Sequence, residues 1–355
     1  MKNNTLKKLL ALGCAAVMAV SMTACSKGTD TPAPAETENG SGSKTQDGTE
    51  ASDGSGKTYK IAIVKQMDHP SLDEIANAVA ARLDRIATDN SITIEYEIYS
   101  GQGEQTTLKQ IGDQAITDKV DAIIPIATLA GQVMATCAQE SKTPVIFAAI
   151  SDPESADMTG MDYVTGTSDA LNTRFIFDMM LAQNPDLSKV GLLYSTSEVN
   201  SAVPIADAKK FLEEHSIAYT EQTAGSNDEV IAAAAALIGE GVDAVFTPTD
   251  NVIMSAELAI YEDLAKAGIP HYTGADSFVR NGAFTTCGVN YTDLGSDTAD
   301  LAYRAITEGM DDMEDFYLVD GGIITVNTET AATLGINYSV FHDMGEVVEV
   351  VTTED

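Results

Sequence analysis

Two similar segments of the chain end in polar residues where a buried strand pattern stops. The segment "VDAVFTPTD" (242–250) begins with apolar residues and ends in Asp250, which Asn251 follows. The earlier segment "VDAIIPIAT" (120–128) ends in Thr128. Hydroxyl, carboxylate and amide groups donate and accept the hydrogen bonds that hold small polar ligands. A repeated strand with a polar tip therefore predicts a ligand site.

Strand-like and helix-like segments alternate in the part of the chain that must position these tips. Apolar residues recur every three or four positions after the first strand, which predicts a helix with a buried face at Leu72, Ile75, Val79, Leu83 and Ile86. The alternation is typical of a parallel sheet covered by helices. The predicted strands are 59–66, 92–99, 120–127, 144–150 and 162–166.

The same series then restarts, which indicates that one lobe has been duplicated. The segment 188–195 matches the first strand at an offset of 129 residues, and 217–222, 242–248 and 270–275 match the next three. We therefore predict an α/β fold of two similar, doubly wound parallel-sheet lobes. Ligands of such sheets bind beyond the carboxyl ends of the strands, so the polar tips of both lobes should face one cleft.

The N-terminal segment is predicted to direct export. Residues 1–24 have a basic start and an apolar run too short to span a bilayer, which is the layout of a signal peptide. The small residues before Cys25 resemble a bacterial lipobox, so we expect a lipidated Cys25. Residues 26–57 contain no large apolar side chain, and 25–58 are therefore predicted to form a disordered linker.

Composition argues against several classes of function. A formal net charge of −34 disfavours binding to nucleic acid, whose phosphates are also negative. The two cysteines of the folded part, Cys137 and Cys287, have no zinc-site spacing; they are expected to be buried thiols, with a disulfide between them left open. The sequence has neither a Gly-x-Ser-x-Gly nucleophile motif nor a nicotinamide-binding glycine turn. We therefore predict no enzymatic activity, no cofactor and no metal.

Several motifs together resemble one known family. The segments "DHPSLDEI", "SDP", "GTSD", "LYSTSEVNS", "PTDN" and "GADS", followed by "GVNYTDLG" and the tail "VNTETAATLGI", are similar in order and spacing to bacterial ABC-transporter substrate-binding lipoproteins of the tryptophan/aromatic amino-acid type. These proteins have the type I periplasmic-binding-protein fold. The first motif is more often Glu-His-Pro-Ala-Leu-Asp in such relatives, so Asp68 and Ser71 are conservative departures. The resemblance covers essentially all of 59–340.

The resemblance implies a function and a set of partners. It implies a receptor that is tethered by lipid on the extracytoplasmic face of the cell membrane, captures a small ligand in the interlobe cleft and delivers it to an ABC permease. The implied ligand is an amino acid, most specifically an aromatic one. Two alternatives remain: a ligand-sensing module for a membrane kinase, and a binding protein for a sugar or nucleoside.

The resemblance also sets the expected lobe boundaries, because such folds return through several hinge strands. The first lobe is predicted to comprise 59–165 plus 290–312. The second is predicted to comprise 166–289 plus 313–355.

An amino-acid carboxylate requires hydrogen-bond donors, which a helix N-terminus supplies. Thr128 and the Leu129 amide are the candidates in the first lobe, with an ordinary helix cap as the alternative role for Thr128. The corresponding candidates in the second lobe are expected to cap the equivalent helix; they are Ser197, Asn200 and Ser201.

The ammonium group of the ligand requires acceptors, best supplied by a carboxylate. The candidate acceptors follow two adjacent strands of the second lobe. They are Asp250 with Asn251 after one strand, and Asp276 with Ser277 after the other. A helix cap at Asp250 and a turn at Asp276 are the alternative roles. His69 precedes Pro70, a favoured first helical residue, and is predicted to belong to the cap region or the pocket wall.

Aromatic packing of the ligand is left open. With no Trp in the chain, an aromatic ligand has to pack on residues near strand ends, which serve equally in the core or hinge. The candidates are Met67, Phe147, Tyr163, Tyr194, Phe278 and Tyr291.

Overall fold

The computed structural model describes residues 56–353. The predicted signal peptide, Cys25 and nearly all of the predicted linker lie outside these residues. The strands are β1 (Thr58–Lys65), β2 (Thr93–Ser100), β3 (Ala122–Ile126), β4 (Val145–Phe147), β5 (Val164–Ser168), β6 (Lys189–Tyr194), β7 (Ala218–Thr223), β8 (Ala244–Thr247), β9 (His271–Thr273), β10 (Thr285–Gly288), β11 (Tyr317–Leu318), β12 (Ile323–Asn327) and β13 (Val347–Val350).

Helices follow most of the strands, as the alternating pattern predicted. The α-helices are α1 (Pro70–Asn90), α2 (Gln105–Thr117), α3 (Thr128–Ala138), α4 (Thr173–Gln183), α5 (Ala202–Glu214), α6 (Asn227–Gly239), α7 (Asn251–Met254), α8 (Glu257–Lys266), α9 (Asp276–Arg280), α10 (Tyr291–Glu308) and α11 (Thr328–Leu334). Two 3-10 helices span Val199–Ser201 and Ser339–Asp343.

The two sheets repeat one strand order. The first sheet runs β11-β5-β4-β3-β1-β2 and the second runs β13-β12-β10-β9-β8-β6-β7. The duplication read from the sequence is therefore confirmed, because β1 to β5 and β6 to β10 occupy the same positions in their sheets. Pairing is parallel except between β10 and β12. The fold is the predicted pair of doubly wound lobes.

The composition of the two sheets differs from the predicted lobe boundaries at two places. The first sheet includes β5 up to Ser168 and, late in the chain, β11, so the prediction that 313–355 belongs to the second lobe is wrong for Tyr317–Leu318. The physical reason is that β11 pairs with the free edge of β5 before the chain returns to the second sheet. The chain passes between the sheets after β5, after β10 and after β11.

The core of the first lobe is built on the apolar face predicted for α1. Its five predicted apolar residues are all at most 4% exposed, and α10 packs along the same helix. Gly295 of α10 allows this close approach, since an added Cβ would lie 2.7 Å from Ala78 Cβ and 2.7 Å from the Ile75 carbonyl oxygen.

We expect Gly295→Ala to lower the free energy of unfolding by about 1–2 kcal/mol, because overpacking against backbone outweighs the gain in helix propensity. The matched control is Gly239→Ala in α6, where an added Cβ would meet no described heavy atom within 4 Å apart from its chain neighbours and its own helix backbone. Urea unfolding of both variants measures the effect. Equal stability changes at the two positions would contradict this account of the α1–α10 contact.

Candidate functional site

A small cavity lies between the lobes at the carboxyl ends of both sets of strands. Its volume is about 20 Å³, which is room for about one water molecule. Both lobes and the α10 start contribute to it. The lining residues are His69, Ser71, Leu72, Ile75, Ala127, Thr128, Ala149, Ser151, Asp169, Asn200, Thr249, Asp250, Asn251, Met254, Ala275, Phe278 and Tyr291.

Two alanines on the cavity wall have backbone conformations that favour glycine. Ala127 has a φ of 76° and Ala149 a φ of 56°. They follow β3 and β4, at the tips of neighbouring strands. Strained backbone of this kind concentrates at ligand sites, where the surrounding structure holds it in place.

Direct hydrogen bonds join the lobes around the cavity. Gln66, after β1, donates from Nε2 to Glu198 Oε1 at 2.8 Å. Its Oε1 accepts from the Leu129 amide at 3.1 Å. Ser71 and Ser277 hydroxyls are bonded to each other. The Gln66 side chain thus ties the N-terminus of α3 to the second lobe.

Asn251 extends this contact to His69. Its Nδ2 donates to Glu198 Oε2 at 2.7 Å, so its Oδ1 is free to accept from His69 Nε2 at 2.9 Å. We call the four side chains of Gln66, Glu198, Asn251 and His69 the interlobe relay. Two of its members come from each lobe, so the relay forms only when the lobes approach.

The relay contains two groups with displaced pKa values. Burial, together with the nearby Asp250 charge, raises the pKa of Glu198 to about 7, and the hydrogen bonds from Asn251 and Gln66 offset only part of this rise. Burial lowers the pKa of His69 to about 4, so its imidazole is neutral at pH 7. Perturbed groups in a cleft are typical of functional sites.

Asp250 is held by bonds within its own lobe. One carboxylate oxygen accepts from the Val252 and Ile253 amides and caps α7. The other accepts from the Ser195 amide and from the Ser201 hydroxyl, both at 2.7 Å. Burial nonetheless raises its pKa. The alternative predicted for Asp250, a helix cap, is what the structure shows, and this carboxylate borders the cavity fully buried.

The structure brings four of the nine predicted ligand residues to the cavity. Thr128, Asn200, Asp250 and Asn251 line it. Thr128 is the first residue of α3, and Asn200 donates from Nδ2 to the Thr249 carbonyl oxygen at 2.6 Å. Leu129 lies beside this group, with its amide bonded to Gln66.

Four predicted residues lie away from the cavity wall. Ser197 is exposed and bonded to Ser195, and Ser201 bonds Asp250 instead of capping α5 through its side chain. Asp276 is paired with Arg280 at 3.1 Å, one turn along α9. Ser277 contacts Ser71 across the lobes. Of the three residues expected to cap the second-lobe helix, Ser201 occupies the N-cap position of α5 but makes no side-chain cap hydrogen bond, Asn200 lies in the preceding 3-10 helix, and Ser197 is not at a cap position.

Part of the site was not predicted from the sequence. Gln66 and Glu198 lie in strand-end loops that were predicted to be polar, yet nothing in their local sequence indicates that they meet. Asp169, at the first crossing between sheets, accepts from Ser151 at 2.8 Å and from the Tyr291 hydroxyl at 3.0 Å. Burial raises its pKa. Of the open aromatic candidates, Phe278 and Tyr291 line the cavity.

The two cysteines of residues 56–353 do not pair with each other. Cys137 and Cys287 are free thiols, and only Cys287 is buried. No group of three or more His, Cys, Asp or Glu side chains in this range is arranged to hold a metal ion. Its helices are also too short or too polar to cross a membrane.

Known proteins resemble this chain over most of its length. A family model described as ABC transporter substrate binding protein matches residues 60–342. A Tyrosine-binding protein of Clostridioides difficile (strain R20291) is 28% identical over 306 residues, which cover 84% of this chain and 84% of that protein. The family resemblance read from the sequence is confirmed, and it identifies a substrate-binding protein rather than an enzyme.

Two solved structures, each 25% identical, share the arrangement of lobes. An ABC domain in complex with L-Trp from Streptococcus pneumonia has a TM-score of 0.74 and covers 81% of this chain and 100% of its own. The ligand-free, open structure of a substrate-binding protein with adhesive properties from Clostridium difficile has a TM-score of 0.62 and covers 83% and 100%.

We expect Glu198→Gln to reduce the pH dependence of stability. The folded pKa of about 7 lies above the ordinary value of 4.5, so the contribution of Glu198 is present at low pH and is lost as the pH rises through 7. Between pH 5.5 and 8.0 this loss amounts to about 2 kcal/mol in the wild type. Urea unfolding at both pH values measures it, with exposed Glu140→Gln as the control. The same pH dependence in Glu198→Gln and wild type would contradict the assignment.

Proposed function

The chain belongs to the family of ABC transporter substrate-binding proteins, and we propose that its interlobe cleft captures an aromatic amino acid for an ABC importer. Proteins of this family bind a small molecule, work with a permease and are extracytoplasmic. The observation that carries the proposal is a cavity at the strand tips that both lobes line, with hydrogen-bonding groups beside Phe278 and Tyr291. The L-Trp and tyrosine in the names of the relatives agree with it.

Polar groups of the cleft suit the charged end of an amino acid. The N-terminus of α3, at Thr128, directs main-chain N–H groups and the positive end of the helix dipole toward a carboxylate. The second lobe offers an acceptor on the opposite side at Asn200 Oδ1. A ligand with both groups therefore bonds to both lobes at once.

The rest of the cleft suits an apolar side chain. Leu72 and Ile75 of α1 face the cavity from one lobe, and Met254 and Phe278 from the other. Tyr291 holds its hydroxyl against Asp169, which leaves the ring for packing. Aromatic and sulfur-containing side chains form favourable contacts with an aromatic ring.

Closure of the lobes would couple capture to delivery. The cavity of about 20 Å³ is too small for any amino acid. The ligand therefore binds while the lobes are further apart, and it occupies space in the cleft that side chains of the two lobes fill in this structure. A ligand that contacts both lobes favours the closed form by its difference in affinity for the two forms. The permease then has a closed shape to recognise.

Membrane attachment through Cys25 is the second part of the proposal. It rests on the apolar run and the small residues before Cys25. Such a tether keeps the receptor near its permease.

We expect Cys25→Ala to abolish lipid attachment and to leave the fold of 56–353 intact, because the thiol is the acceptor of the lipid. Labelling of cells with a radioactive or alkyne-tagged fatty acid measures the attachment. Cys137→Ala is the matched control and should keep the label. Undiminished labelling of Cys25→Ala would rule out this anchor.

We expect one or more of L-tyrosine, L-phenylalanine and L-tryptophan to bind the 58–355 fragment with micromolar affinity, about −8 kcal/mol. Titration calorimetry and thermal unfolding measure it, since ligand at 100 times the dissociation constant adds about 2.7 kcal/mol of stability. Acetylation of the amine should weaken binding sharply, because it removes the charge and adds bulk. Tight binding of ribose or adenosine with no heat from any amino acid would defeat the proposal and leave the two-lobed receptor standing.

A further inference from the structure

Two buried acceptor atoms on the cavity wall find no hydrogen-bond partner among the described residues. They are His69 Nδ1 and Asn200 Oδ1. Each residue is only 6% exposed, and both residues line the cavity, one from each lobe. A buried polar group without a partner is costly, so a pair of them at one cavity indicates a ligand that donates.

The surrounding bonds fix both atoms as acceptors. Asn251 uses its Nδ2 to donate to Glu198, so its Oδ1 must accept from His69. His69 therefore carries its proton on Nε2, and in the neutral ring Nδ1 can only accept. Asn200 is oriented in the same way, because its Nδ2 donates to the Thr249 carbonyl oxygen.

The charges around the cavity favour a cation. Asp169 and Asp250 line it, and no Lys or Arg is among its lining residues. The nearby Lys65 is paired with Asp68 at 2.7 Å and with Asp73. Asp250 has four internal donors, so its charge acts on the cavity without offering a free oxygen.

We propose that the ligand's ammonium group is the main determinant of recognition, bound by His69 Nδ1 and Asn200 Oδ1, so that the cleft accepts primary aromatic amines even without a carboxylate. The inference rests on the proposed function and assigns the ammonium to acceptors other than Asp250 and Asp276. An ammonium group has three donors, which is enough to supply one to each of these two atoms. It also spans the lobes, since His69 and Asn200 belong to different ones.

The competing arrangement makes the opposite prediction. A protonated His69 would donate from Nδ1 to the ligand carboxylate, and the carboxylate would then dominate recognition. Amino acids without their amine would bind in that case. The two arrangements can be distinguished by comparing the binding of ligands that lack the carboxylate with that of ligands that lack the amine.

The experiment titrates the full folded fragment with each aromatic amino acid, its decarboxylated amine and its deaminated acid. For phenylalanine these are phenethylamine and 3-phenylpropionate; for tyrosine and tryptophan they are tyramine, tryptamine and the corresponding propionates. We expect the matching amine to bind within about 10-fold of the amino acid and the acid at least about 100-fold more weakly. An acid that binds as well as its amine overturns the inference while the proposed function stands.

The substitution Asn200→Leu tests whether Asn200 Oδ1 accepts a hydrogen bond from the ammonium group. Loss of a hydrogen bond to a charged group should weaken amine binding by about 10-fold or more. The weak binding of the acid should stay nearly unchanged. The affinity of the amine relative to that of the acid therefore falls in this variant. The matched control is Asn90→Leu in α1, because Asn90 Nδ2 also donates to a main-chain carbonyl, that of Ile86, away from the cleft. An equal loss of affinity for amine and acid in Asn200→Leu would show a purely structural role and overturn the assignment.

Absence of binding by all three amino acids and all three amines would overturn both proposals.

Discussion

The arrangement of the lobes depends on the buried carboxyl group of Glu198, which accepts hydrogen bonds from one donor in each lobe. Glu198 belongs to the second lobe and accepts from Gln66 of the first and from Asn251 of its own. Its burial beside Asp250 makes the charge costly, as its raised pKa shows. Only the closed arrangement supplies both donors, so the interlobe relay links the protonation of Glu198 to the contact between lobes. The cleft is therefore a polar interface that is stable only when its groups are paired.

This pairing explains why the polar strand tips are organised around one another. Asp250 caps α7 and also bonds Ser195 and Ser201, which holds Asn251 at the place where it reaches Glu198 and His69. On the other side, Gln66 occupies the amide of Leu129 at the N-terminus of α3. A ligand carboxylate at that helix must displace or rearrange Gln66. Ligand binding and relay geometry are thus physically coupled.

Sequence patterns predicted the fold well because they reflect local periodicity. The α1 stripe and the second series of strands follow from repeats of three, four and two residues, and the structure has both. The site was predicted only in part, because its contacts join distant loops. Gln66 and Glu198 are 132 residues apart, and nothing in "KQMDHPSLD" indicates which tip it faces. The β11 pairing with β5 was missed for the same reason, since two residues carry no periodic signal.

The most direct test of the account measures the distance between the lobes as ligand is added. Fluorophores placed at the exposed positions Glu140 of the first lobe and Lys210 of the second report closure by energy transfer in single molecules. We expect an aromatic amino acid to increase the population of the closed state in proportion to its occupancy, and Gln66→Leu to lower that population in the absence of ligand. An unchanged distribution of distances at saturating concentrations of tyrosine, phenylalanine and tryptophan would contradict it.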